Sequence, residues 1–177
     1  MKKPASDKRI ACTAENAAFL SVALILSFVE SFLPPAVLPL PGFKIGLANL
    51  AILAVFYRTE NLANAAVISL CRVLITFVLF GNVTSFLFSL CGGALVLAML
   101  ALVSRVRGFS FIGVSVLCAA AHNCGQLLAA VLLTGTAVLA YTPALFAASA
   151  FYGTVNGILL NLLPKFISEP DIITKHK

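Results

Sequence analysis

From one end to the other, the chain alternates long apolar runs with short polar breaks. The runs cover roughly 14–33, 43–57, 61–80, 84–104, 111–134 and 141–163. Between them stand Arg58-Thr59-Glu60-Asn61, Gly81-Asn82, Arg105-Val106-Arg107-Gly108, and Gly135-Thr136 with Pro143 beyond it, residue types that punctuate helices. A helix crosses the hydrocarbon core of a bilayer with roughly 20 apolar residues, within about 17–25. The pattern therefore predicts an all-α integral membrane protein: a single bundle of about six transmembrane helices over residues 14–163, with tails at 1–13 and 164–177. The second run is short for a span, and Pro39 and Pro41 just ahead of it discourage extension backwards.

Composition sharpens this reading. Of 177 residues, 61% are hydrophobic and 10% charged, and mean hydropathy is +1.07. Soluble domains carry about 25% charged residues because their surface faces water; lipid removes that requirement. The placement of charge gives a topology. With the N-terminus inside, Lys2, Lys3, Lys8, Arg9, Arg58, Arg105, Arg107, Lys165, Lys175 and Lys177 all fall on the inner side. Outside there is Lys44, and Arg72 lies within the third run. By the positive-inside rule both termini are cytoplasmic and the protein is a multi-pass resident of the cell membrane. The basic start resembles a signal peptide, but Glu30 and Pro34-Pro35 follow the first run where a small-residue cleavage site would stand, so it reads as a retained helix. The cysteines, Cys12, Cys71, Cys91, Cys118 and Cys124, show no C-x-x-C spacing and read as packing residues.

Polar residues at membrane depth carry the candidate chemistry. A central Arg costs about 2.5–3.5 kcal/mol on insertion scales, so it faces a partner or a watery cavity. Arg72 sits mid-span and keeps its proton. Either it is an inter-helix tie or it anchors an anionic ligand. The fifth run holds Ser115, His122, Asn123 and Gln126, with 122 and 126, and 123 and 126, one turn apart, which predicts one shared polar face. Helix direction places Glu30, Lys44, Asn49, Arg72, His122, Asn123, Gln126 and Asn156 in the outer half of the bundle, a candidate substrate-binding set. Two cations against one carboxylate point to a small anionic or amphipathic metabolite. The connection Leu33 to Gly42, with four prolines in ten residues, is either a lid over such a cavity or a plain loop packed on the bundle.

Small residues at four-residue spacing, Ser149, Gly153 and Gly157 in the sixth run and Ala14 and Ala18 in the first, suit close helix contacts, either internal or with a partner membrane protein. The two aspartates, Asp7 and Asp171, lie in the tails, and no P-loop is present, so neither an Asp-rich metal site nor ATP hydrolysis is legible, nor any catalytic set or cofactor. The charge pattern offers nothing for nucleic acid.

The blocks Pro41-Gly42-Phe43-Lys44-Ile45-Gly46-Leu47-Ala48-Asn49-Leu50, Ser89-Leu90-Cys91-Gly92-Gly93 and Ala121-His122-Asn123-Cys124-Gly125-Gln126 resemble the Gx transporter family, often labelled heptaprenyl diphosphate synthase component I, over roughly 14–163. That family is in turn similar to the substrate-binding S components of energy-coupling-factor (ECF) transporters. The resemblance implies a six-helix protein that binds a small molecule near the outer face and depends on a separate coupling protein and two ATPases. The label carries an alternative, a non-catalytic membrane subunit in isoprenoid or quinone biosynthesis. Prenyl transfer itself would need Asp-rich motifs that the chain lacks.

Overall fold

The computed structural model describes residues 5–32, 44, 46–106 and 108–162. The proline-rich connection considered as a lid, and the C-terminal tail, lie outside these residues. Every element within them is helical: α1 (Ala5–Phe32), α2 (Asn49–Thr59), α3 (Leu62–Phe80), α4 (Val83–Val103), α5 (Phe111–Thr134), a short 3₁₀ segment (Thr136–Tyr141) and α6 (Thr142–Leu162). α1 reaches back to Ala5, ahead of the first apolar run.

Helix starts follow local side-chain chemistry. Asn61 accepts from the Ala63 N–H at 2.8 Å, Asn82 from Ser85 N–H at 2.7 Å and Ser110 from Gly113 N–H at 3.1 Å, each satisfying a donor that the first helical turn leaves open. α2 stops where Glu60 takes a left-handed conformation at φ 50°, and α5 stops at Gly135 with φ 88°.

Among the described residues, five stretches are long and apolar enough to cross a membrane: Thr13–Phe32, Leu62–Phe80, Val83–Val103, Phe111–Thr134 and Thr136–Leu162. The shortest, at 19 residues, is about 28 Å long at 1.5 Å per residue, close to the hydrocarbon thickness of about 30 Å. Val67, Val78, Leu132 and Phe151, at 60%, 80%, 77% and 64% exposure, turn apolar surface outward, as a lipid-facing helix does. α2 differs. The apolar run 43–57 becomes helical only at Asn49 and yields 11 residues, about 16 Å, too short to span. Eight of those residues, Asn49 and Ala51 to Tyr57, are buried, so α2 lies inside the bundle.

α5 is the central helix, packed between α4 and α6, while α1 leans on α2 and α3. Glycines set the close approaches. A methyl group on Gly153 would lie 2.6 Å from the Val116 Cα, and one on Gly157 2.6 Å from the Ile112 Cα. The small-residue row of α6 is thus occupied by α5 of the same chain, the internal use weighed for it. A methyl group on Gly125 of α5 would come within 2.4 Å of the Cys91 carbonyl oxygen of α4. Two apolar clusters complete the packing. The larger gathers Ile52 to Tyr57, Ala65, Ile68, Leu100, Val114, Cys118 and Leu160; the smaller gathers Phe88, Ala129, Ala130 and Val138 at the other end.

Candidate functional site

The buried polar residues lie between these two apolar clusters, around the start of α2. The N-cap position of α2, Ala48, has no side chain able to accept a hydrogen bond. Glu30, in the last turn of α1 and 4% exposed, supplies the acceptor instead. Its Oε1 accepts the Gly46 N–H and, at 3.3 Å, the Leu47 N–H. A carboxylate at a helix N-terminus also matches the positive end of the helix dipole. The turn is completed by Asn49 N–H to the Gly46 carbonyl and Leu50 N–H to the Leu47 carbonyl, both 3.0 Å. Gly46 carries φ +91°, and a Cβ there would lie 3.0 Å from Asn49 Nδ2 and 3.2 Å from His122 Cδ2. Both the backbone angle and the space demand glycine.

From this turn a hydrogen-bonded chain crosses to α5. The Lys44 N–H approaches Gln126 Oε1 at 3.4 Å, and Gln126 Nε2 meets His122 Nε2 at 2.7 Å. With its oxygen accepting from Lys44, the Gln126 amide presents its NH₂ to the imidazole, so His122 Nε2 is the acceptor and the ring proton resides on Nδ1. Nδ1 rests against the backbone of Gly92 on α4, where an added Cβ would come within 2.5 Å of it, and faces the Gly92 carbonyl without closing a well-formed hydrogen bond. Gln126 is fully buried and His122 2% exposed. The one-turn spacing of 122 and 126 puts both on the same side of α5.

Arg72 enters from the middle of α3, 4% exposed. It lies within electrostatic reach of Glu30, Lys44 and His122. No ion pair within 4.0 Å joins it to Glu30; among the described residues the ion pair is Arg58 with Glu15, at 2.6 Å on the exposed side. Arg72 Nε and Nη2, Glu30 Oε2 and Asn49 Nδ2 are all buried without a hydrogen-bond partner. Native interiors pair nearly all such atoms, so four orphans in one neighbourhood stand out.

Six of the residues expected from sequence therefore meet: Glu30, Lys44, Asn49, Arg72, His122 and Gln126. Asn156 stands one step further along. With Gly46, Asn49, Leu53, Ser115, Cys118 and Ala119 it lines a cavity of about 10 Å³, large enough for one water-sized group. Ser115 Oγ and Asn156 Oδ1 are buried there without partners. Asn123 faces elsewhere. Its Nδ2 donates to Ser149 Oγ at 2.7 Å and to the Leu145 carbonyl at 3.2 Å, which ties α5 to α6. A step of one residue turns a helix by about 100°, and α5 has a neighbour on each side, so His122 and Asn123 serve different interfaces. Gly46, Leu47 and Gly92 were not among the expected site residues. The Lys44-Ile45-Gly46 block and the Gly92-Gly93 pair were their only trace in the chain, because backbone N–H donors and a seat for a ring leave no side-chain signature.

Among the described residues no group of three His, Cys, Asp or Glu side chains could hold a metal. The arrangement gathers a guanidinium, a lysine, a carboxylate and amides. No curated protein and no solved structure matches the chain. A sequence model for heptaprenyl diphosphate synthase component I matches residues 19–163, a stretch that begins within α1, ends just past α6 and contains every residue of the buried polar site. With five helices fit to cross a bilayer, the chain is an integral membrane protein, and it belongs to the heptaprenyl diphosphate synthase component I family.

Proposed function

We propose that the chain is the substrate-binding subunit of a membrane uptake system, similar to an ECF S component, for a small anionic or amphipathic metabolite. In this reading residues 14–163 form one six-pass transmembrane domain, and both tails are cytoplasmic in the cell membrane. The carrying observation is the buried guanidinium of Arg72, whose Nε and Nη2 have no partner beside an equally incomplete Glu30. A purely structural Arg at membrane depth is stabilised by closing its ion pair. An Arg held open beside a second cation is suited to a negatively charged guest. Lys44 adds attraction, and Asn49, His122, Gln126 and Asn156 shape the polar surround. Asn123 supports the site by fixing α6 against α5.

No nucleotide-hydrolysing motif is legible in the chain, and in this reading a separate coupling protein and its ATPases supply the energy for uptake. The family's name describes one component of a larger assembly, which accords with a chain that works beside partner subunits. Gentle purification in detergent followed by mass spectrometry of the retained small molecule tests the reading. An anionic metabolite is expected, with thermal stabilisation that Arg72→Ala abolishes. A protein that carries nothing and is stabilised by nothing, but co-purifies with a prenyltransferase whose activity needs it, would favour a subunit of isoprenoid synthesis instead.

A further inference from the structure

We infer that the ligand of this site is a monocarboxylate that bears a hydroxyl or amide N–H donor a few bonds from its carboxylate. The inference rests on the binding-subunit reading and specifies its ligand class. The first argument is geometric. Arg72 Nε and Nη2, both fully buried without a partner, lie on the same edge of the planar guanidinium. That edge presents two parallel N–H donors, which two oxygens on one atom satisfy together. A lone hydroxyl or ketone would leave one of them unmade. An amine offers them nothing.

The second argument comes from Glu30. Its Oε1 is committed to the Gly46 and Leu47 N–H groups, which keep the carboxylate oriented at the start of α2. Its Oε2 is buried and open. An ionised carboxylate oxygen only accepts, so the guest must bring a donor to that point. Asn49 Nδ2, also open, offers a second donor to an acceptor on the guest.

The third argument is charge. Arg72 and Lys44 contribute two positive charges and Glu30 one negative, and these groups interact with one another. With all three ionised, the balance is a single positive charge, which one carboxylate neutralises. A prenyl diphosphate would bring two or more negative charges beside the Glu30 carboxylate, where like-charge repulsion in a low-dielectric interior is strong. The site therefore discriminates against the ligand that the family's name would suggest.

The test uses purified full-length protein in detergent, with circular dichroism to verify folding of each variant. Thermal stabilisation and calorimetry are measured with lactate and 3-hydroxybutyrate, with propionate and butyrate, with methyl lactate, and with isopentenyl diphosphate. The hydroxy acids should bind, the acids without the hydroxyl about ten-fold or more weaker because Glu30 Oε2 then stays unpaired, and the ester and diphosphate not at all. Arg72→Lys should weaken the hydroxy acids by about ten-fold or more, as a point charge replaces the fork. Glu30→Gln retains an acceptor for the two backbone N–H groups but turns the open oxygen into a donor, so the preference for the hydroxyl should vanish. Arg72-dependent binding of the ester or the diphosphate would overturn the carboxylate assignment and leave the binding-subunit reading standing. Silence toward every acid, with a metabolite of another class carried through purification, would do the same; silence together with an empty protein would overturn both.

Discussion

The two ends of α2 are buried alike and built in opposite ways. Toward Tyr57, the helix sits among Ile68, Leu100, Val114, Cys118 and Leu160, side chains whose packing needs no partner beyond contact. Tyr57 itself stacks edge-on against Phe111 with ring centroids 4.8 Å apart. Toward Asn49, the same helix sits among Glu30, Arg72, His122 and Gln126, and several polar atoms there lack partners. One end contributes stability through apolar burial. The other end gives stability up, since unpaired polar atoms in an interior cost free energy. An 11-residue helix thus joins a region packed through apolar contact to one where buried polar atoms are left open.

Substitutions at each end should separate the two roles. The largest effect is expected from Leu100→Ala, at a side chain with 0% exposure. It should lower stability by about 2–5 kcal/mol, read as a fall in the thermal midpoint in detergent, with ligand affinity retained. If affinity falls with it, the two ends are coupled and the comparison fails. Glu30→Ala should come next. It strips the acceptor from the Gly46 and Leu47 N–H groups and should cost about 2 kcal/mol while abolishing binding; hydrogen exchange at the start of α2 should rise and that of the Tyr57 end should not.

Arg72→Met should act in the reverse direction. It removes an unpaired buried charge and leaves Glu30 balanced by Lys44, so the ligand-free protein should gain about 1–2 kcal/mol while ligand-dependent stabilisation disappears. A stability loss would mean that Arg72 is structural glue. The smallest effect belongs to Tyr57→Phe. The Tyr57 hydroxyl is buried without a partner, and its removal should raise the thermal midpoint by the equivalent of about 0.5–1 kcal/mol without touching binding.

Much of this was legible along the chain. Glu30, Lys44, Arg72 and His122 stood out because ionisable groups inside apolar runs are costly enough to demand a reason. The breaks at Arg58-Thr59-Glu60-Asn61, Gly81-Asn82 and Arg105-Val106-Arg107-Gly108 were legible as polar punctuation between apolar runs. The start of α2 was not. The apolar run opens at 43, but the helix waits until Asn49 because Gly46 turns left-handed and a carboxylate from α1 caps the turn across space. Nor was the split between His122 and Asn123 legible. Both are one turn from Gln126, and which neighbour each faces depends on how α4 and α6 flank α5.

Hydropathy and charge alone determined that this chain suits lipid and where its long helices run. Those properties are set residue by residue, through the transfer of side chains and backbone between water and hydrocarbon. The tertiary structure alone decided that α2 is a short buried helix, that Glu30 divides its oxygens between a helix cap and an open site, and that Arg72 stands apart from it. Those outcomes depend on angles and distances between helices, fixed by close contacts such as Gly153 on Val116, and no periodicity within a single helix encodes them.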